Sequence, residues 1–339
     1  MKKKLLALLT AAALVLALAA CGGTASSPAS GSEAASPSES GSQTASADKT
    51  YTVGICQLVQ HPALDEATKG FRDALTEKLG DKVTFEEQNA SGDSANCVTI
   101  CGGFAANGCD LIMTNATPAL QAAVTATNTI PILGTSVTDY ASALDIDGWT
   151  GKTGMNVSGT SDLAPLDGQA EMLHELFPEA KTVGILYCSG EANSVYQAET
   201  ITPYLEGYGY TVKSYTFSDS NDVSTVTATA CGESDVLYVP TDNTAASCAE
   251  AINNVALNAK TPIIAGEEGI CAGCGVATLS ISYYDLGVAT GEMAYEILVN
   301  GADPAEMDVR FAPNFTKEYN AAICEALEIT PPEGYTAIG

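Results

Sequence analysis

Basic side chains are scarce in this chain. Its 339 residues carry 14 Lys and Arg against 41 Asp and Glu, and the arginines are two, Arg72 and Arg310. The formal charge is −27, which removal of Lys2, Lys3 and Lys4 takes to about −30. Such a surface repels nucleic acid, and no basic stripe offers it a path, so no nucleic-acid partner is expected. The shortage of Arg argues against bidentate capture of phosphates or dicarboxylates. Histidine is limited to His61 and His174. His174 lies in the helical stretch EMLHELF as a surface or packing residue, whereas His61 sits at a strand-to-helix turn where loop and ligand roles are both open. There is no G-x-S-x-G elbow, H-E-x-x-H helix or G-x-x-x-x-G-K-[ST] loop. With neither a nucleophile nor a base in view, no enzyme is expected. Aromatics make up 6% of the chain, which disfavours a sugar cleft built from stacking rings.

Cysteine is plentiful, at eleven. Cys271 and Cys274 form a C-x-x-C pair without further ligands at zinc spacing, so no metal is expected, although a disulfide between them is open. Most of the others fall where Ala or Val would serve, as small buried hydrophobes. Cys21 is different. It follows a basic start (Lys2 to Lys4), an apolar run over residues 5–18 and the small pair Ala19-Ala20, the pattern of a secretory signal over residues 1–20. The stretch Leu18-Ala19-Ala20-Cys21 resembles a bacterial lipobox, which implies lipid attachment at Cys21 and a membrane contact through that anchor. Residues 21–49 are then a Ser-, Ala- and Gly-rich tether unable to bury a core.

From Tyr51 onward the chain repeats one unit, seen most clearly in residues 235–243 (DVLYVPTDN). Val236, Leu237, Tyr238 and Val239 read as a strand buried on both faces, Thr241, Asp242 and Asn243 as a polar knot, and residues 244–256 as a helix. Repetition of this unit predicts an α/β fold of two Rossmann-like lobes with parallel sheets joined by a three-crossing hinge. The first lobe is expected over residues 50–160 plus 284–307 and the second over 161–280 plus 312–339. Ligands of such sheets sit beyond the carboxyl ends of the strands.

Those ends carry hydroxyls (Thr117, Thr135, Ser136, Thr138, Ser161, Ser189, Thr241), amides (Asn115, Asn193, Asn243) and carboxylates (Asp162, Glu191, Asp242, Glu267), without Lys or Arg. A carboxylate held by hydroxyls and helix N–H groups, as at Thr117-Pro118, together with an ammonium on Asp162, Glu191 or Asp242, describes a zwitterionic amino acid. Taken singly, Thr117, Asn193 and Thr244 are equally well placed as helix caps, as is Ser94. Tyr283 and Tyr284 offer either a stacking wall or packing.

The stretches QLVQHPALDEATKGFRDAL, NATPALQAA, PILGTSVTD, VSGTSD, SGEANS, YVPTDN and AGEEG follow one another in an order that resembles the substrate-binding lipoproteins of ABC importers of the tryptophan/tyrosine type. The resemblance runs over residues 51–329. It implies a type I periplasmic-binding-protein fold, a monomer without catalysis or cofactor, permease and ATPase partners, and an extracytoplasmic place on the outer face of the bacterial membrane. It further implies an α-amino-acid ligand, aromatic or large and apolar, held by Thr117, Pro118, Ser136, Asp162, Glu191, Asn193, Ser194, Asp242 and Asn243. A nucleoside or sugar ligand, a sensor role, and a cell-envelope enzyme are the other readings.

Overall fold

The computed structural model describes residues 49–330 and 333–338. The expected signal segment, Cys21 and all but the last residue of the tether therefore lie outside the described residues. The described chain opens with β1 (Tyr51–Gln57), α1 (Pro62–Leu79), β2 (Val83–Asn89), α2 (Ser94–Asn107), β3 (Leu111–Asn115), α3 (Thr117–Ala126), β4 (Ile132–Val137), α4 (Tyr140–Ala143) and β5 (Val157–Ser161). It continues through α5 (Leu166–Leu176), β6 (Thr182–Cys188), α6 (Ala192–Gly207), β7 (Thr211–Phe217), α7 (Val223–Glu233) and β8 (Val236–Val239). Then come α8 (Asn243–Ser247), α9 (Ala249–Ala259), β9 (Ile263–Ala265), α10 (Glu268–Cys274), β10 (Ala277–Ser280) and α11 (Tyr283–Asn300). The last elements are β11 (Arg310–Phe311), β12 (Thr316–Tyr319), α12 (Ala321–Ala326) and β13 (Thr336–Ala337).

The strands form two sheets, ordered β11-β5-β4-β3-β1-β2 and β13-β12-β10-β9-β8-β6-β7. Every pairing is parallel except that of β12 with β10. The central strands β3, β4, β8 and β9 are buried along their whole length, as their continuous apolar runs require. The chain passes between the sheets after β5, again after β10, and a third time between β11 and β12. This is the two-lobed, three-crossing α/β fold that the repeated unit implies.

Local details depart from the sequence reading for identifiable reasons. The helix expected over 244–256 is broken at Cys248, whose φ of −112° and ψ of 13° leave the helical range between α8 and α9. Asp93 rather than Ser94 caps α2, accepting from the N–H of Ala95 at 2.8 Å, because a carboxylate at that place meets the positive helix end. The third passage also holds a strand: Arg310 and Phe311 extend the first sheet beside β5.

Helix α11 returns to the first lobe and lies against α1 at unusually close range. A Cβ at Gly287 would overlap the carbonyl oxygen of Ala67, and one at Gly70 would overlap that of Tyr284. Glycine at these two places lets the backbones touch, which seats the hinge-side helix on the lobe that carries half of the cleft. Replacing Gly287 by Ala must push the helices apart, and the cost of overpacking a tight contact is about 1–3 kcal/mol. Chemical denaturation should show the loss; an unchanged midpoint would mean that the pair separates freely.

Candidate ligand-binding cleft

The carboxyl ends of β1, β3, β4 and β5 face those of β6 and β8 across a seam. The lobes meet there directly: His61 Nε2 lies 3.3 Å from Asn243 Oδ1, and both residues are buried. His61 precedes α1 without capping it, and Asn243 opens α8.

All nine residues named from the resemblance are buried at strand ends, with Thr117, Pro118, Ser136 and Asp162 in the first lobe and Glu191, Asn193, Ser194, Asp242 and Asn243 in the second. Their hydrogen bonding divides them. Glu191 accepts from Asn243 N at 3.0 Å, Asn243 Nδ2 at 2.6 Å, Thr244 N at 2.8 Å, Thr244 Oγ1 at 2.7 Å and Asn193 Nδ2 at 3.2 Å. Asp242 accepts from Cys188 N at 2.6 Å and caps α8 through Ala245 N at 2.7 Å. Burial, then the neighbouring Glu191 charge, pushes the Asp242 carboxyl up from the usual range. Ser194 is wholly buried beside Asn193 and Asp242. In the second lobe, then, the carboxylates brace the chain itself. Asn193 Nδ2 also donates to Thr241 O at 3.0 Å, and Gln197 holds the same loop, with Nε2 on Thr241 O and Oε1 taking Thr241 N, each at 3.0 Å.

The first lobe shows the opposite pattern. Among the described residues, Thr117 Oγ1, Ser136 Oγ, Asp162 Oδ1, Asn115 Oδ1 and His61 Nδ1 are buried without a partner, as is Asn193 Oδ1 across the seam. Unpaired buried polar atoms are rare, because each forfeits its hydration. Three others, on Ser234, Asn253 and Thr278, lie off the cleft. In sheet order the first-lobe atoms form a row: Asp162 after β5, Ser136 on β4, Thr117 and Asn115 at β3, His61 after β1.

Backbone strain coincides with this row. Ala116, preceding α3, has φ 94° and ψ 155°, a region almost confined to glycine. Thr117 is consequently not the helix cap that its position suggests; it lies in the first turn, where N–H groups have no partner within the helix, and its hydroxyl is unpaired. Ser136 has φ 53° and sits where the β4–β5 register slips between Gly134 and Val137. The slip turns its side chain out of the alternation that a regular strand imposes.

Asp162 is 3% exposed. One oxygen accepts from the Tyr283 hydroxyl at 3.1 Å, and burial pushes its carboxyl up to about 6 against the hydrogen bonds from Thr138 and Tyr283. Tyr283 thus serves the cleft through its hydroxyl. Tyr284 is no wall of it, since its hydroxyl donates to Asp73 at 3.1 Å beneath Lys69. Glu267 caps α10 by accepting from Gly269 N and Ile270 N. His174 is a packing residue, hydrogen-bonded to Tyr210 at 2.8 Å and stacked on Tyr208. The ten described cysteines are free, nine of them buried and Cys248 partly so.

Two cavities open beside the seam. One of about 200 Å³ is lined by Pro118 from the first lobe and Glu191, Asn243 and Thr244 from the second. A larger one of about 460 Å³ lies between α1, α10 and α11, with Glu66, Glu268 and Tyr283 in its wall. The unpaired atoms belong to neither lining, so the cavities and the buried row in the seam mark different places. Sequence reading counted Asn115 among the strand-end amides without choosing it, and passed over Gln197 as a lone amide among many. It weighed His61 without choosing it.

The fold and the polar seam define a two-lobed binding protein of the type I periplasmic-binding-protein class. The chain belongs to the ABC transporter substrate binding protein family, whose pattern matches residues 52–337. It is 40% identical over 253 residues to a tyrosine-binding protein of Clostridioides difficile (strain R20291), covering 74% of this chain and 73% of that one. Among solved structures it is similar to an ABC domain from Streptococcus pneumonia in complex with L-Trp, with TM-score 0.82 and 33% identity over 86% of this chain and all of that one. A ligand-free, open substrate binding protein with adhesive properties from Clostridium difficile is 37% identical, over 85% of this chain and 99% of that one, yet has a TM-score of 0.65. Shape thus follows the tryptophan-bound chain more closely than the open one, against the order of identity. The lobes described here stand near the former arrangement, in agreement with the His61–Asn243 contact.

Glu191 gives the second lobe its shape. Glu191→Ala strands the donors of Asn243 and Thr244 inside the protein and should lower stability by about 3 kcal/mol in urea titration of the ligand-free protein. Glu191→Gln, which keeps an acceptor in place, should cost less. Equal losses would assign the effect to charge alone.

Proposed function

We propose that the chain is the lipid-anchored, extracytoplasmic binding component of an ABC importer without catalytic activity, and that its lobes close on an aromatic α-amino acid. The observation that carries this reading is the order of unpaired atoms along the first sheet. A carboxylate oxygen at Asp162 is followed by hydroxyl donors at Ser136 and Thr117 and by the open first turn of α3. An acceptor beside a set of donors complements an ammonium beside a carboxylate. Asp162 is the ammonium partner in this reading, because Glu191 and Asp242 are committed to the chain's own N–H groups. Thr117, Ser136 and the α3 terminus take the ligand carboxylate, while Asn193 and Asn243 close from the other side. A tyrosine-binding relative and a similar structure in complex with L-Trp support an aromatic side chain on that ligand. Loading fixes the closed arrangement, the state that a permease and its ATPase can distinguish from the empty one.

Protein stripped by unfolding and refolding should melt at higher temperature with L-Tyr or L-Trp and not with sugars or nucleosides, because a ligand of the native state stabilises it by mass action. A response to sugars or nucleosides alone would overturn the ligand class. Asp162→Asn should weaken amino-acid binding by about thirty-fold or more, from loss of a buried charge-assisted hydrogen bond of about 2 kcal/mol, and near-unchanged affinity would remove it from the site.

The pH dependence has a defined sign. Burial holds the ligand-free Asp162 carboxyl at about 6, above its unfolded value of about 3.9. The folded protein therefore keeps a proton that the unfolded chain has already lost, and this group's stabilisation, full below about pH 4, disappears as pH rises through 6. Binding runs the other way, since an ammonium needs the ionised form. Calorimetric affinity for L-Tyr should hold above pH 6 and fall about tenfold per unit below it. A flat profile down to pH 4 would mean that no such proton is displaced.

A further inference from the structure

His61 is buried, 6% exposed, with one ring nitrogen paired and the other not. The protonation of that ring can be worked out from its neighbours. Glu191 accepts from Asn243 Nδ2 at 2.6 Å and also takes three N–H and O–H donors from Asn243 and Thr244, so it is the acceptor throughout this turn. This fixes which way the Asn243 amide points: its NH2 faces Glu191 and its Oδ1 faces His61. Oδ1 has no hydrogen, so the His61 Nε2 at 3.3 Å must be the donor. Burial favours the neutral ring. A neutral imidazole with its hydrogen on Nε2 carries a bare lone pair on Nδ1, the atom left without a partner.

We propose that His61 is a specificity-determining residue whose Nδ1 accepts a hydrogen bond from a ring N–H or O–H of the bound amino acid. This rests on the amino-acid reading above and adds to it the choice among aromatic side chains. Position supports it. Asp162 and His61 stand at opposite ends of the row, after β5 and β1, with β4 and β3 between them. Three strand spacings, roughly 14 Å in all, separate the strands that carry them, so a ligand whose ammonium meets Asp162 must be elongated, with its ring end turned toward His61. Phenylalanine offers no such hydrogen and leaves Nδ1 buried and unpaired, the arrangement by which a binding site rejects a near-isostere. Closure and selection are joined in this residue: Nε2 holds the second lobe while Nδ1 tests the ligand.

Titration calorimetry of the unaltered protein with L-Tyr, L-Trp and L-Phe comes first. Phe should bind tenfold to a hundredfold more weakly than whichever of Tyr and Trp binds better, the range set by an unpaired buried acceptor. His61→Leu, checked for an unchanged melt, should shrink that ratio to within about threefold, chiefly by weakening Tyr or Trp. Phe binding as tightly as both in the unaltered protein would overturn the proposal. So would equal weakening of all three by His61→Leu, which leaves His61 a latch between lobes and keeps the amino-acid reading intact. Binding of none of the three would overturn both readings together. A second measurement needs no variant. The chain has two histidines, so nitrogen NMR of 15N-histidine-labelled protein gives two rings to assign. The Nδ1 signal of His61 should be that of an unprotonated nitrogen and move toward the hydrogen-bonded range with Tyr or Trp but not with Phe. A protonated Nδ1, or the same shift with all three ligands, would overturn the assignment.

Discussion

Glu191 draws together what would otherwise be two separate strand ends. It follows β6, yet its carboxylate receives the N–H groups that open α8 after β8, and the side chains of Asn193, Asn243 and Thr244 converge on it. A buried charge is tolerated only when its lone pairs are filled, and here five donors fill them. The consequence runs outward from the carboxylate. Asn243 is oriented by it, His61 is oriented by Asn243, and the contact that joins the lobes follows from both. The adjoining Asp242 fixes the same turn from beneath, tying Cys188 to the start of α8.

The two faces of the cleft divide their labour. In the second lobe the cleft carboxylates Glu191 and Asp242 are filled by the chain's own donors, and Asn193 Oδ1 is the unpaired atom on that side of the seam. The first lobe differs: it holds Ala116 in a conformation costing about 1–3 kcal/mol for a residue with a side chain, bends β4 at Ser136, and leaves several buried polar atoms unpaired. Strain of this kind persists because the surrounding strands over-determine it. What it gains is orientation, since hydroxyls and N–H groups already aimed lose little freedom when a ligand arrives.

Much of this was legible in the sequence. Buried strands with polar knots at their ends announced parallel sheets, because strand burial and strand-end geometry are local consequences of composition. The residues that bring the nine named positions together are equally visible in the motifs from QLVQHP to AGEEG. What could not be read was how each side chain is partnered. Asp162, Glu191 and Asp242 look alike as letters, and only the fold shows that two are enclosed by N–H groups and one is left with a free oxygen. Thr117 reads as a cap because capping statistics know nothing of the strained Ala116 before it. The place of His61 at the seam was hidden for the same reason: its partner is Asn243, in the other lobe, and no periodicity relates them.

The thiols carry a different consequence. Ten described cysteines are free and nine are buried, with burial pushing Cys188 up to about 11 and Cys271 and Cys109 upward as well. While folded, nine of these groups are closed off from solvent, and a thiol that is both buried and held protonated is chemically quiet. Unfolding exposes all of them at once, on one chain, where any oxidant can cross-link them in pairings that the native packing forbids. For this molecule the durability of the fold is therefore a matter of how seldom it opens, and a single excursion in an oxidising medium becomes a one-way event.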